Sequence, residues 1–266
     1  MPVYFSPLSK MNKYPILLIF LLASLCGVSQ DLQTIEKDLL KHLKKINRLS
    51  EDRPDGYDTQ LEKENETFKT KLLKYTSLYP ATINYAFKYL KDENLRIAES
   101  ADHKFRIYSW NTWMGGSMPY YENICQAKTG TIYAATLPES KEWGSAGWFS
   151  EIFTLNTPER TVYIGYLNAA FSSKDVYQAV KLFSIENNTL NDTLRLIRTG
   201  TGLHNTLGFE FDFFSVVDRE ERPVKLIFFD EAQQALRIPV VNGEGKVTSR
   251  FITYRFNGTC FEKVKK

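Results

Sequence analysis

Glu210 and Asp212 stand two residues apart in "TLGFEFDFFSVVDREERP" (206–223). That spacing puts both carboxylates on one face of a strand, about 7 Å apart at a rise of ~3.3 Å per residue. Paired carboxylates at separations of roughly 5–9.5 Å drive glycoside hydrolysis. Glu210 and Asp212, with Asp175 as a further acid, are therefore the candidate catalytic groups. The simpler reading is the solvated face of an antiparallel strand whose other face carries Leu207, Phe209, Phe211 and Phe213. "DREER" (218–222) reads as a charged loop with local ion pairs, each worth about 0–1 kcal/mol.

Other chemistries find less support. His42, His103 and His204 fall on a helix, in a turn and in a loop, without ligand spacing, so no metal centre is expected. "RTGTGLHNT" (198–206) lacks the Lys-Ser/Thr that completes a phosphate-binding loop. In "WGSAGW" (143–148) the serine directly follows the glycine, which is not the Gly-x-Ser-x-Gly of a nucleophile elbow; a mobile, aromatic-edged loop is expected there. No cofactor is implied.

The densest cluster of binding chemistry is "FRIYSWNTWMGGSMPYYENICQ" (105–126). Phe105, Ile107 and Ser109 alternate with Arg106, Tyr108 and Trp110, the period of a strand. Gly115 and Gly116 sit in the connection to the next strand, free to take positive φ. Two readings stand. In the first these aromatics pack a core, with Trp113 and Met114 capping one end. In the second Tyr108, Trp110, Trp113, Tyr120 and Tyr121 form a platform for stacking on sugar rings or gripping a peptide. Trp113 and Tyr121 are the two residues to follow.

The N-terminus addresses location. Lys10 and Lys13 precede "YPILLIFLLASLCGVSQ" (14–30), whose uninterrupted apolar part, Ile16 to Val28, is 13 residues long. A spanning helix needs about 20. A basic flank, a short apolar run and a small-residue exit are the layout of a secretory signal peptide. Residues 1–29 are read as that signal, cut after Ser29. Lipidation at Cys26 is the lesser reading, because Leu25 is bulky where a small residue belongs. Export to the periplasm, cell envelope or exterior follows, with no stable membrane span after cleavage. Removing Lys10 and Lys13 leaves 32 basic against 31 acidic residues, a net charge of +1. That balance argues against a nucleic-acid partner. Cys125 and Cys260 remain; an oxidising compartment permits a disulfide between them, and two separately buried thiols are the alternative.

These groups must be carried by a helical region and then strands. Leu32, Ile35, Leu39, Leu43 and Ile46 recur at helical spacing. A second helix is predicted over 59–78 with Leu61, Phe68, Leu72 and Leu73 inward. A third, over 81–92, uses Ile83, Phe87 and Leu90 behind Pro80. From residue 93 short aromatic and β-branched runs alternate with polar turns, and the chain is 14% aromatic, which favours strands. The fold class is α+β: a helical region (30–92) followed by an antiparallel meander (93–266), closing as a sandwich or barrel. "VKLFSIENNTLNDTLRLI" (180–197) and "VKLIFFDEAQQALRIPV" (224–240) echo each other at an offset of 44 residues, which keeps a small β-propeller as the alternative.

The signal peptide, the helical third, "RIYSWNTWMGG" (106–116), "SSKDVYQ" (172–178), "FEFDFFS" (209–215) and "LRIPVVNGEGKVT" (236–248) together resemble secreted proteins of the Bacteroidota that have no known activity. The resemblance implies export and a β-rich C-terminal region, and it assigns no catalytic residue. The functional expectation is a non-catalytic binding or interaction protein of the envelope, its partner a glycan, peptide or protein. A carbohydrate-active hydrolase and a structural or assembly factor are the alternatives.

Overall fold

The computed structural model describes residues 14–116, 118–129, 131–138, 143–144 and 146–265. Lys10 and Lys13 of the expected signal lie outside the described residues, as does Ser145 of "WGSAGW". Helix α1 (Tyr14–Asp52) runs through the expected cleavage point without a break. No helix among the described residues is long and apolar enough to cross a membrane.

The architecture is α+β, a stack of four layers. Helices α1, α2 (Tyr57–Leu78) and α3 (Lys88–Asp92) make the first. The first sheet is a meander in chain order: β1 (Arg96–Glu99), β2 (Phe105–Asn111), β3 (Tyr121–Thr129) and β4 (Thr131–Thr136). The second sheet contains β5 (Gly147–Asn156), β6 (Thr161–Ala170), β7 (Asp175–Glu186), the short β8 (Thr189–Asn191) and β11 (Thr206–Asp212). Its order is β11-β7-β6-β5, with β8 paired to the far end of β7. The third holds β9 (Ile197–Thr199), β10 (Gly202–His204), β12 (Phe228–Asp230), β13 (Ala235–Val241), β14 (Val247–Phe256) and β15 (Phe261–Lys263), ordered β10-β9-β15-β14-β13-β12. Pairing is antiparallel throughout except where β15 meets β9. All three sheets are open.

Three buried seams hold the layers together, and strand alternation explains each. On β2, Tyr108 and Trp110 point to the helices and join Leu39, Leu43, Phe68 and Leu72. Phe105 and Ile107, on the opposite face, join Phe149, Tyr163 and Phe183 of the second sheet. The second sheet repeats the division: Val162, Ile164, Val180 and Leu182 face the third sheet, where Leu236, Ile238 and Phe261 meet them. Gly165 on β6 leaves room for the Phe149 ring from the neighbouring strand, since a Cβ there would lie 2.9 Å from it.

The helical layer is fastened by polar contacts as well as by burial. Gln126 donates to the Thr76 carbonyl and to Thr82 Oγ1, each at 2.8 Å, and accepts from the Tyr108 hydroxyl at 2.7 Å. Arg106, fully buried, donates to the carbonyls of Thr82 and Tyr85 and to the Glu99 carboxylate. Between α1 and α2, Glu64 accepts from Lys45 at 2.7 Å and pairs with His42.

The predicted third helix is two pieces. A 3-10 turn covers Pro80–Asn84, the chain extends at Tyr85, and α3 starts after Phe87, which takes φ 46°. Buried Glu36 forces the break: its carboxylate accepts from the Tyr89 and Leu90 amides and from the Tyr85 hydroxyl, capping α3 from another helix. Ile83, Phe87 and Leu90 are buried as the spacing predicted. The 44-residue echo has no structural counterpart, because Val180–Leu182 lie within β7 while residues 224–226 precede β12 in irregular chain.

Candidate functional site

The five aromatics of the predicted platform are divided between core and surface. Tyr108 and Trp110 are fully buried beneath the helices. Trp110 packs edge-on against Phe68 at 5.1 Å and donates from Nε1 to Asn65 Oδ1 at 3.1 Å. Because a helical layer covers that face of the first sheet, the core-packing reading holds for both, with Trp110 at the base of the hollow beside Trp113. Trp113 is 46% exposed, while Tyr120 and Tyr121 are half-buried beside it.

The loop that carries Trp113 is tightly determined. Asn111 Oδ1 accepts from the Trp113 and Tyr120 amides at 3.0 and 3.2 Å. The Thr112 amide and hydroxyl both donate to the Tyr120 carbonyl, at 2.7 and 2.9 Å. Gly116 takes φ 66° as foreseen. Gly115 is needed for a different reason: a Cβ there would meet the Met118 carbonyl oxygen at 2.2 Å. Trp113 itself adopts φ 60°. For a bulky L-residue that region is strained, by roughly 1–2 kcal/mol. The indole is then fixed by its Nε1–H, which donates to Asn47 Oδ1 of α1 at 3.1 Å.

Around Trp113 the helices and the first two sheets meet in a cleft. One hollow of about 190 Å³ is bordered by Asn47, Glu93, Arg96, Trp113 and Tyr121. A second, of about 350 Å³, shares Asn94 and Arg96 with the first and reaches Trp148. The Arg96 guanidinium lies 3.7 Å from the Trp148 ring centroid, and Tyr121 stands 6.1 Å from Trp148. Among the described residues Arg96 has no carboxylate within ion-pair distance. Asn47 also donates to the Glu93 carboxylate at 3.2 Å, and Lys44 lies 3.6 Å from that carboxylate. The result is an exposed Trp113 with half-buried Tyr121 and Trp148, the last carrying Arg96 stacked on its ring, and amide and carboxylate groups among them. Sugar rings, apolar on their faces and hydroxylated at their rims, need that combination.

The predicted acids are set apart from this cleft. Asp212 and Asp175 are cross-strand partners in the β11–β7 ladder, and Glu210 sits opposite Tyr177. Asp212 accepts from the Phe214 amide at 2.9 Å and so caps a 3-10 turn, with Lys174 at 3.7 Å. Asp175 accepts from the Ser172 hydroxyl at 2.8 Å in a turn of its own. Glu210 and Asp175 are exposed, and none of the three borders either hollow of the cleft. Phe213 belongs to the 3-10 turn after β11 and so leaves the apolar strand face predicted for it.

Cys125 and Cys260 are free and buried. Cys125 lies between the first and second sheets, Cys260 in the β14–β15 turn of the third. With sheets spaced about 10 Å apart and a whole sheet between the two thiols, the bridge is geometrically impossible. Burial pushes the Cys125 thiol up to about 12. Among the described residues no group of three His, Cys, Asp or Glu converges as a metal site.

Of the predicted platform, Trp113 and Tyr121 border this cleft, and Tyr120 borders a separate hollow of about 280 Å³. Asn47, Arg96 and Trp148 also border the cleft and carry no signal in the residue spacing. Those three come from α1, β1 and β5, and no local period ties them together. No family model, curated protein or solved structure matches this chain.

Proposed function

We propose that this chain is an exported, non-catalytic binding protein of the cell envelope that holds a saccharide in the aromatic cleft. The observation that carries the reading is Trp113, a large indole kept exposed at a strained backbone angle by two asparagines. Strain of this kind persists only where the surroundings over-determine it, and it concentrates at ligand clamps. Export is supported by the basic, short-apolar, small-residue order of the N-terminus. A binding role without hydrolysis is supported by Asp212 and Asp175 serving as turn and cap residues away from the aromatic faces.

Isothermal titration of the protein against neutral and N-acetylated oligosaccharides tests this reading. At least one saccharide binds, Trp113→Ala weakens it by about tenfold or more, and chromatography recovers the saccharide uncut. Cleavage of the saccharide, or equal affinity in the variant, would overturn it.

A further inference from the structure

Among the described residues no element covers the outer face of the third sheet, unlike the outer face of the first, which the helices cover. Strand alternation sends Leu236, Ile238, Tyr254 and Phe261 inward to the buried seam. The residues between them, Arg237 on β13 with Phe251 and Arg255 on β14, therefore face outward. They border a hollow of about 860 Å³, with Ala235 and the Phe251 ring as its apolar floor.

Five cations line this hollow: Arg237, Arg250, Arg255, Lys263 and Lys265. Asp230 is the one acid among the described lining residues, and Glu262 is the cross-strand neighbour of Arg255. None of the five has a carboxylate within ion-pair distance among the described residues, although the neighbouring Glu262 is taken by Arg198 at 2.9 Å. Two of the cations are positioned without an acid. The Arg237 guanidinium rests 4.8 Å from the Phe251 ring centroid, itself packed against Phe228 at 6.1 Å. Arg255 donates to Gln233 Oε1 at 3.3 Å. Stacked or tethered guanidiniums lose little freedom on pairing with a carboxylate, which favours binding.

We propose that this face binds an acidic polysaccharide, with Arg237 and Arg255 taking successive carboxylates. Charge complementarity selects a polyanion, since a hollow of this size with spread cations exceeds what one small anion would fill. Backbone chemistry selects a polysaccharide over an extended acidic peptide. In the interior of a sheet the N–H and C=O groups are spent in the ladder, so a peptide lying across the face would find no backbone partners. A uronate chain has no such groups, and its ring faces suit the apolar floor. The site lies on the layer farthest from the helices and does not rest on the saccharide reading of the cleft.

Affinity electrophoresis of the full chain through gels containing polygalacturonate at low salt tests the proposal. Polygalacturonate retards the protein, fully methyl-esterified pectin does not, and the retardation fades with added salt as screening predicts. Arg237→Ala with Arg255→Ala, both exposed positions, weakens retention about tenfold or more. Lys37→Ala with Lys41→Ala, which removes the same charge from the exposed side of α1, leaves it intact. Equal loss in the lysine variant would show a response to net charge alone and overturn the site. Equal retention by polyglutamate would overturn the polysaccharide, and no retention at all would overturn both.

Discussion

Replacing Trp113 by alanine and by glycine separates the strain in its backbone from the contacts of its indole. Either change removes the hydrogen bond to Asn47 and the packing of a side chain that is 46% exposed. Together these cost about 2 kcal/mol. The two variants then differ in backbone alone. At an ordinary position glycine stands below alanine by roughly 0.5–1 kcal/mol, through its greater freedom when unfolded. At φ 60° alanine keeps a strain of about 1–2 kcal/mol that glycine lacks. The order therefore inverts, with the glycine variant more stable by about 0.5–1 kcal/mol. Urea unfolding followed by far-UV circular dichroism reads this as a higher midpoint at unchanged slope. In a chain of this size the melting temperature shifts by about 2 °C. Both variants lose saccharide binding, so glycine at 113 would separate stability from function. An alanine variant as stable as the glycine variant, or more so, would refute the strain and with it the observation that carries the binding assignment.

Two further outcomes follow from the packing. Non-reducing peptide mapping finds Cys125 and Cys260 unbridged even after expression in an oxidising compartment, and Cys125 resists thiol reagents until the chain unfolds. Stability falls at both ends of the pH scale, for opposite reasons. Burial alone would raise the Asp38 and Glu64 carboxyls, but Lys71 and Tyr75 bonded to the first, and Lys45 and His42 to the second, hold both below the usual range. A depressed carboxyl stabilises the fold above its unfolded pKa, and that contribution drains away as pH drops below about 4. Glu64→Gln therefore costs about 2 kcal/mol at neutral pH, and the gap to the parent closes in acid urea titrations. At the other end, the hydrogen bond to Asp38 pushes Tyr75 up to about 12, and burial with the bond to Glu36 does the same for Tyr85. Raised phenols stabilise the fold below their ordinary value near 10, so stability is lost between about pH 10 and 12.

Periodicity carries the strands and the apolar face of each helix, because both are local. It places Phe105 and Tyr108 on opposite faces of β2 correctly. What it lacks is the knowledge that both faces are covered, so buried Tyr108 and Trp110 look as available as Trp113. The break at Phe87 is hidden for a similar reason. Ile83, Phe87 and Leu90 fit a continuous helix, and the carboxylate that interrupts it belongs to Glu36, on another element. Distance in sequence likewise conceals the cleft, whose Asn47, Arg96 and Trp148 sit on three layers. The paired acids show the converse failure. Glu210 and Asp212 do share a strand, but only tertiary structure reveals that Asp212 spends its carboxylate on the Phe214 amide.

The proposed saccharide binding puts ligand beside Trp113 and Trp148, and the four tryptophans supply the measurement. Each indole N–H gives its own resonance in a 15N-labelled sample, assigned by single Trp→Phe variants. Titration with the saccharide found by calorimetry shifts the Trp113 and Trp148 signals and leaves that of buried Trp143, which borders neither hollow of the cleft, unmoved. Binding that leaves the Trp113 signal in place would contradict a saccharide site in the aromatic cleft.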